Sequence, residues 1–226
     1  LVTAQPLPYP QQARLVVAEQ LILDQGDKAH SRAFSYPAIA LLHRESQATF
    51  ELSVMLDHAR DVVLSHPAQP LVNVVYTTGD YAEAFAPPMA LGRFPGAGEG
   101  LDRTRPVAVI SHSAWQTLFG MRDDVVGMSV RLSSGVAFEV VGVTARAFVE
   151  PGFHGPGHRT AIWLPWEFNP APRQWGWTAT TDTLALVGRL APAVTRQQSA
   201  GLLSERVYAR WRDELGTSSS SYAGWS

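Results

Sequence analysis

Few residues of this 226-residue chain could do chemistry, and their spacing limits each of them. His154 and His158 bracket the run His-Gly-Pro-Gly-His, and two imidazoles four residues apart on a helix can share a zinc ion. The intervening glycines and proline prohibit that helix, and no glutamate follows His154, so the run reads as a loop with two exposed histidines. Asp57 and His58 have the groups of an acid–base pair, but neighbours on a strand point to opposite faces. Ser111-His112-Ser113 lacks the Gly-x-Ser-x-Gly elbow of a serine hydrolase and reads as a strand-to-helix cap. Asp123-Asp124 falls in a turn, where Asp supports the backbone. Paired carboxylates for glycoside chemistry are defined by spacing in space, not in sequence. Gly96-Ala97-Gly98-Glu99-Gly100 is Gly-rich but lacks the Lys-Ser/Thr of a phosphate loop.

The chain has no cysteine, which excludes disulfides, thiolate metal sites and a cysteine nucleophile. Its net charge of −2 gives no basic footprint, so no nucleic-acid partner is expected. No cofactor is expected either. The aromatic group Trp163, Trp166, Trp175 and Trp177 is the one candidate interaction surface. Such rings can form a platform for sugars or a docking patch for a protein. They can equally cover the seam between two subdomains.

Positioning these residues requires many short elements. Arg14–Leu23 (RLVVAEQLIL) has strand character, and Asp24–Arg32 reads as loop. Ser35 caps a helix through Ser46, with Pro37 in its first turn. Strands are expected at Phe50–Met55 and Arg60–Leu64, joined by Leu56–Ala59, and at Leu71–Tyr76. Asp80 with Glu83 makes a capping-box pattern for a short helix through Phe85, ended by Pro87–Arg93. A strand at Val107–Ile110 precedes a helix with the box Ser113/Gln116, stopped by Gly120. Met128–Leu132 and Ala137–Val143 form a hairpin turning at Ser133-Ser134-Gly135. Strands follow at Thr160–Leu164 and Thr183–Leu190. Thr195 with Gln198 opens a helix to about Leu215, with Leu202, Leu203, Val207 and Trp211 facing the core. Trp115 is likewise a packing residue. Strands mixed with short helices and hairpins argue an α+β fold. No run of eighteen apolar residues occurs, so no segment of the given chain reads as a membrane helix. Leu1 is not Met, and it reads either as a cut edge of something longer or as the start of a trimmed soluble protein.

The ordered motifs carry a resemblance. PLPYPQQARLV, FSYPAIALLHRES, TGDYAEAFAPPMALGRFP, PVAVISHSAWQTLFG, VVGMSVRLSSGVAFEVVGV and TLALVGRLAPAVTRQQSAGLL follow one another in the order of the MacB/FtsX-type ABC transporter permeases. Together they resemble the family's extracytoplasmic MacB-like periplasmic core. Ala82 stands where the family often has Phe, Ala86-Pro87 where it usually has Gly before Pro, and the Trp-rich stretch has no family counterpart. The resemblance implies a porter-like α+β subdomain from residues 1–70 and 148–226, with a smaller β-rich subdomain, 71–147, inserted. It implies a domain at the bacterial inner membrane, on the periplasmic side, with one membrane helix before Leu1 and three after Ser226. Both chain ends would then lie on one face.

The implied function is non-catalytic. An ABC ATPase on a separate subunit or domain supplies the energy, flanking membrane helices carry the motion, and this domain transmits it and contacts substrate, a second copy or a periplasmic partner. The alternative, from a different class, is a secreted carbohydrate-binding module or hydrolase using the Trp-rich stretch. A plain protein-interaction domain with no transporter is a third reading.

Overall fold

The computed structural model describes residues 8–23, 29–96, 105–152 and 159–215. His154, His158, both chain ends, Gly216 and most of the Gly-rich run at 96–100 lie outside them. The first strands and helix are β1 (Leu15–Val17), β2 (Gln20–Leu23), β3 (Ala29–Arg32), β4 (Phe34–Ser35) and α1 (Tyr36–Ser46). Then come β5 (Phe50–Val62), β6 (Leu71–Thr77), α2 (Tyr81–Phe85), β7 (Met89–Gly92), β8 (Val107–Ile110) and α3 (His112–Phe119). They are followed by β9 (Ser129–Arg131), β10 (Ala137–Thr144), β11 (Ile162–Pro165), β12 (Thr180–Thr181), β13 (Leu184–Leu190) and α4 (Arg196–Leu215). Helices with a large mixed sheet make the fold α+β.

The chain forms two compact units. One comprises Ala13–Met55 and Ala171–Ser226. Here β1 pairs antiparallel with β13, which neighbours β5, and α1 packs on β13 and α4. Ser35 has the extended backbone of a helix cap and accepts from Ala38 N–H, and Pro37 fits because the first turn has no intrahelical use for its missing N–H. The capping box at the start of α4 closes both ways: Thr195 N–H donates to Gln198 Oε1 at 2.9 Å, and Gln198 N–H to Thr195 Oγ1 at 3.2 Å. Leu203, Val207 and Trp211 recur every four residues and are buried. Leu202, expected among them, lies about 100° round the helix and is 48% exposed. All seven residues of β13 are buried, as in a strand covered on both faces.

The other unit comprises Leu1–Gln12 and Leu56–Pro170. Its strands run in the order β5-β6-β11-β8-β10-β7, with β9 on β10. β6 and β11 are parallel, as are β8 and β10, and the remaining pairs are antiparallel. Ile110, Trp115, Leu132, Phe138, Val140 and Leu164 belong to its core. The hairpin turn at Gly135 adopts φ 81°, a left-handed value that glycine takes without strain.

Five further expectations change. β5 is one continuous strand through 56–59, because β6 pairs with it from Leu56 to Val62. Asp24–Arg32 contains β3, which pairs with β2, and Pro87–Arg93 contains β7, which pairs with β10. Asp80 makes no side-chain cap bond, since its backbone is already turned to φ −76°, ψ −1° and a cap needs extended geometry. The cap of α3 is Ser111, which accepts from Ala114 N–H at 3.2 Å, so Ser113 lies inside the helix.

Candidate interaction surface

The four candidate tryptophans come from the end of β11 and the irregular stretch after it, and their surroundings differ. Trp163 and Trp166 belong to the unit of Leu56–Pro170, Trp175 and Trp177 to the other. Trp163, on β11, is 3% exposed. Its ring sits 6.3 Å from Tyr81, 6.2 Å from Phe94 and 6.0 Å from Phe148, so it works as packing. Trp166 opens a 3₁₀ turn and is packed against the core of the same unit. Trp177 meets the buried Trp211 edge to face at 4.7 Å and 77°, a favoured geometry for aromatic pairs. Trp175 is 43% exposed, its ring centre 6.2 Å from buried Tyr36. Of the four it presents the most surface to solvent. Helical periodicity places Trp211 inward, but nothing periodic in the 170s shows which ring meets it. The partners Tyr36 and Trp211 are therefore invisible until the chain folds.

A buried polar cluster backs Trp163. Tyr81 is wholly buried, and desolvation first, then the charge of Glu150, pushes its phenol well above the usual range. Tyr9 rises to about 12 for the same two reasons, and its hydroxyl donates to Val149 C=O at 3.0 Å. The Glu150 carboxylate accepts from Thr160 N–H at 3.0 Å and from the Thr160 hydroxyl. These tyrosines stay protonated at any physiological pH and carry no charge.

The other candidates have structural surroundings. Asp57 and His58 are consecutive residues of β5, opposite Tyr76 and Val75, and face opposite sides. Asp57 accepts from Asn169 Nδ2 at 2.6 Å. Ser111 caps α3. Asp124 is bonded by Arg122 at 2.8 and 2.7 Å, and that guanidinium holds its carboxyl below the usual range. Among the described residues, no group of three or more His, Cys, Asp or Glu could hold a metal, and no helix is long and apolar enough to cross a membrane.

The family profile of the MacB-like periplasmic core domain matches residues 6–205. The chain belongs to that family. Three solved structures share the fold of this MacB-like domain. A domain of a protein described as a permease from Porphyromonas gingivalis aligns with TM-score 0.66 at 18% identity, over 97% of this chain and 91% of that one. The extracellular domain of the noncanonic ABC-type transporter YknZ from Gram-positive bacteria aligns with TM-score 0.61 at 14% identity, over 93% and 98%. The periplasmic region of MacB from Actinobacillus actinomycetemcomitans aligns with TM-score 0.57 at 11% identity, over 91% and 94%. No curated protein matches the chain at a significant level. The MacB-like assignment does not favour a carbohydrate module, and a flat sugar platform is a poor use of a ring buried like that of Trp163.

Proposed function

We propose that this MacB-like domain is the extracytoplasmic lever of an inner-membrane ABC permease. ATP is hydrolysed on a separate cytoplasmic domain or subunit, helices flanking the domain carry the motion outward, and the domain moves against a substrate or partner. The observation that carries the reading is the family match across residues 6–205. The packing supports it, because a lever needs rigid, well-filled elements able to pass on displacement rather than a polar catalytic pocket. We assign the porter-like role to the part built from both ends of the chain and the role of insert to the middle. Trp175, the most exposed of the four tryptophans, is placed at the contact with substrate or partner. Trp177, in the same unit and packed on Trp211, stiffens that unit, while Trp163 and Trp166 serve as packing in their own.

Two measurements test this. Titrated with ATP in a calorimeter, the isolated domain is expected to give no binding heat, and tight nucleotide binding would overturn the reading. In the intact permease, spin-label distances between this domain and a fixed membrane position are expected to change when ATP binds. Identical distances with and without nucleotide would remove the lever.

A further inference from the structure

β1 is the terminal strand of its sheet, so one of its edges faces away from β13. Ala18 N–H donates to Leu186 C=O at 2.9 Å, continuing the register Leu15↔Arg189, Val16↔Gly188, Val17↔Val187. Bonded and non-bonded pairs alternate along an antiparallel ladder. Ala18 and Val16 therefore bond to β13, and the N–H and C=O of Val17 point the other way. Among the described residues nothing bonds to them. The Val17 side chain is 49% exposed.

Beside this edge, toward the start of α4, lies a half-open groove of about 110 Å³. Leu42, Phe50, Leu190 and Leu203 give it an apolar lining, and Glu19 and Arg196 border it with opposite charges. The first turn of α4 holds no acidic residue. Among the described residues neither Arg196 nor Glu19 is in an ion pair. The volume is below the roughly 150 Å³ that admits benzene, so it suits one branched aliphatic side chain.

We propose that the groove between β1 and α4 binds an extended peptide segment of a partner protein by strand addition. The segment pairs its backbone with Val17 and seats one aliphatic side chain in the groove. It brings an acidic residue to Arg196 and a basic residue to Glu19. An edge strand beside an apolar slot is the arrangement that gives strand addition its affinity and its selectivity. An acyl chain would fill the slot but leave the Val17 groups unpaired. A second copy offering its own β1 lacks the basic residue, because Arg14 is held by Leu190 C=O and Glu51. The proposal stands apart from the lever reading, since either can fail without the other.

The test uses the whole chain, isotope-labelled, titrated in NMR with the acetylated heptapeptide Lys-Thr-Val-Leu-Val-Thr-Glu and its reversed sequence. At least one is expected to give saturable shifts at the amides of Val16 to Glu19 and in the first turn of α4. Peptides N-methylated at each amide in turn are expected to lose about tenfold or more in affinity at alternate positions only. Val17→Pro removes the outward N–H and leaves the ladder to β13 intact, so it should bind neither peptide. Saturable shifts elsewhere, insensitivity to N-methylation or no saturable binding would each overturn the proposal. So would a concentration-dependent dimer in sedimentation that Val17→Pro abolishes, because the edge would then belong to a second copy.

Discussion

Ala86 closes α2 in a left-handed conformation, φ 42° and ψ 56°, where its Cβ crowds the backbone and a glycine would not. Ala86 is exposed, so glycine there loses no packing. Ala86→Gly is expected to raise stability by about 1 kcal/mol, read as a shift in urea midpoint at constant slope. His43 sets a pH dependence. Its Nδ1 lies 2.8 Å from Ser53 Oγ, which also receives the Ser46 hydroxyl at 3.1 Å, and burial lowers its pKa. The folded state therefore prefers neutral imidazole. That contribution is complete above the unfolded pKa of about 6.5 and is lost as pH falls through the lowered folded value. Chemical denaturation is expected to show lower stability at pH 5 than at pH 7.5, with a smaller difference in His43→Gln. A pH response unchanged by His43→Gln would refute the assignment. Legibility at this scale depended on reach. Ser35 and the Thr195/Gln198 box were readable because each cap contacts its own next turn. Asp80 was not, and the serine run before α3 showed a cap without showing that Ser111 rather than Ser113 makes it, because backbone dihedrals decide which nearby residue serves.

At the scale of elements, Gly188 shows how closely the strands meet. A Cβ built there would lie 2.2 Å from ring carbons of Phe50, on the neighbouring strand. Gly188→Ala is therefore expected to cost about 1–3 kcal/mol through overpacking. The loss in Gly188→Ala/Phe50→Leu should be smaller than the sum of the two single losses, because the smaller side chain yields the space. Additive losses in the double variant would show that the two sites do not share that space. Strong local patterns were readable: α1, the β9–β10 hairpin at Gly135, and the inward stripe of α4 apart from Leu202. β3 and β7 were not. Each is four residues long, too short for a period, and β7 pairs with β10 about fifty residues away. Likewise, Asp57 and His58 look like a loop until β6 pairs alongside and Asn169 satisfies the carboxylate.

For the whole molecule, family membership was legible because many weak turns and caps occur in one order, even though each is common by itself. The site was much less legible. Four tryptophans stand out in sequence, but only folding distinguishes buried Trp163 from exposed Trp175. β5 has a further effect at this scale. Its residues to Met55 belong to one compact unit and those from Leu56 to the other, so unravelling either frees one end of a continuous strand whose other end the remaining unit holds, which couples the two. Heat is expected to unfold the chain in a single transition, with a calorimetric to van't Hoff enthalpy ratio of about one. Two resolved peaks would refute that coupling.

The same thirteen-residue strand constrains how the sequence can change in length. A strand turns over at every residue, so inserting one residue at its middle would invert the facing of all that follow, Asp57 and Asp61 included. Such a change cannot be absorbed where it happens. Homologous chains of different length should therefore add or lose residues in their turns and leave this stretch uncut.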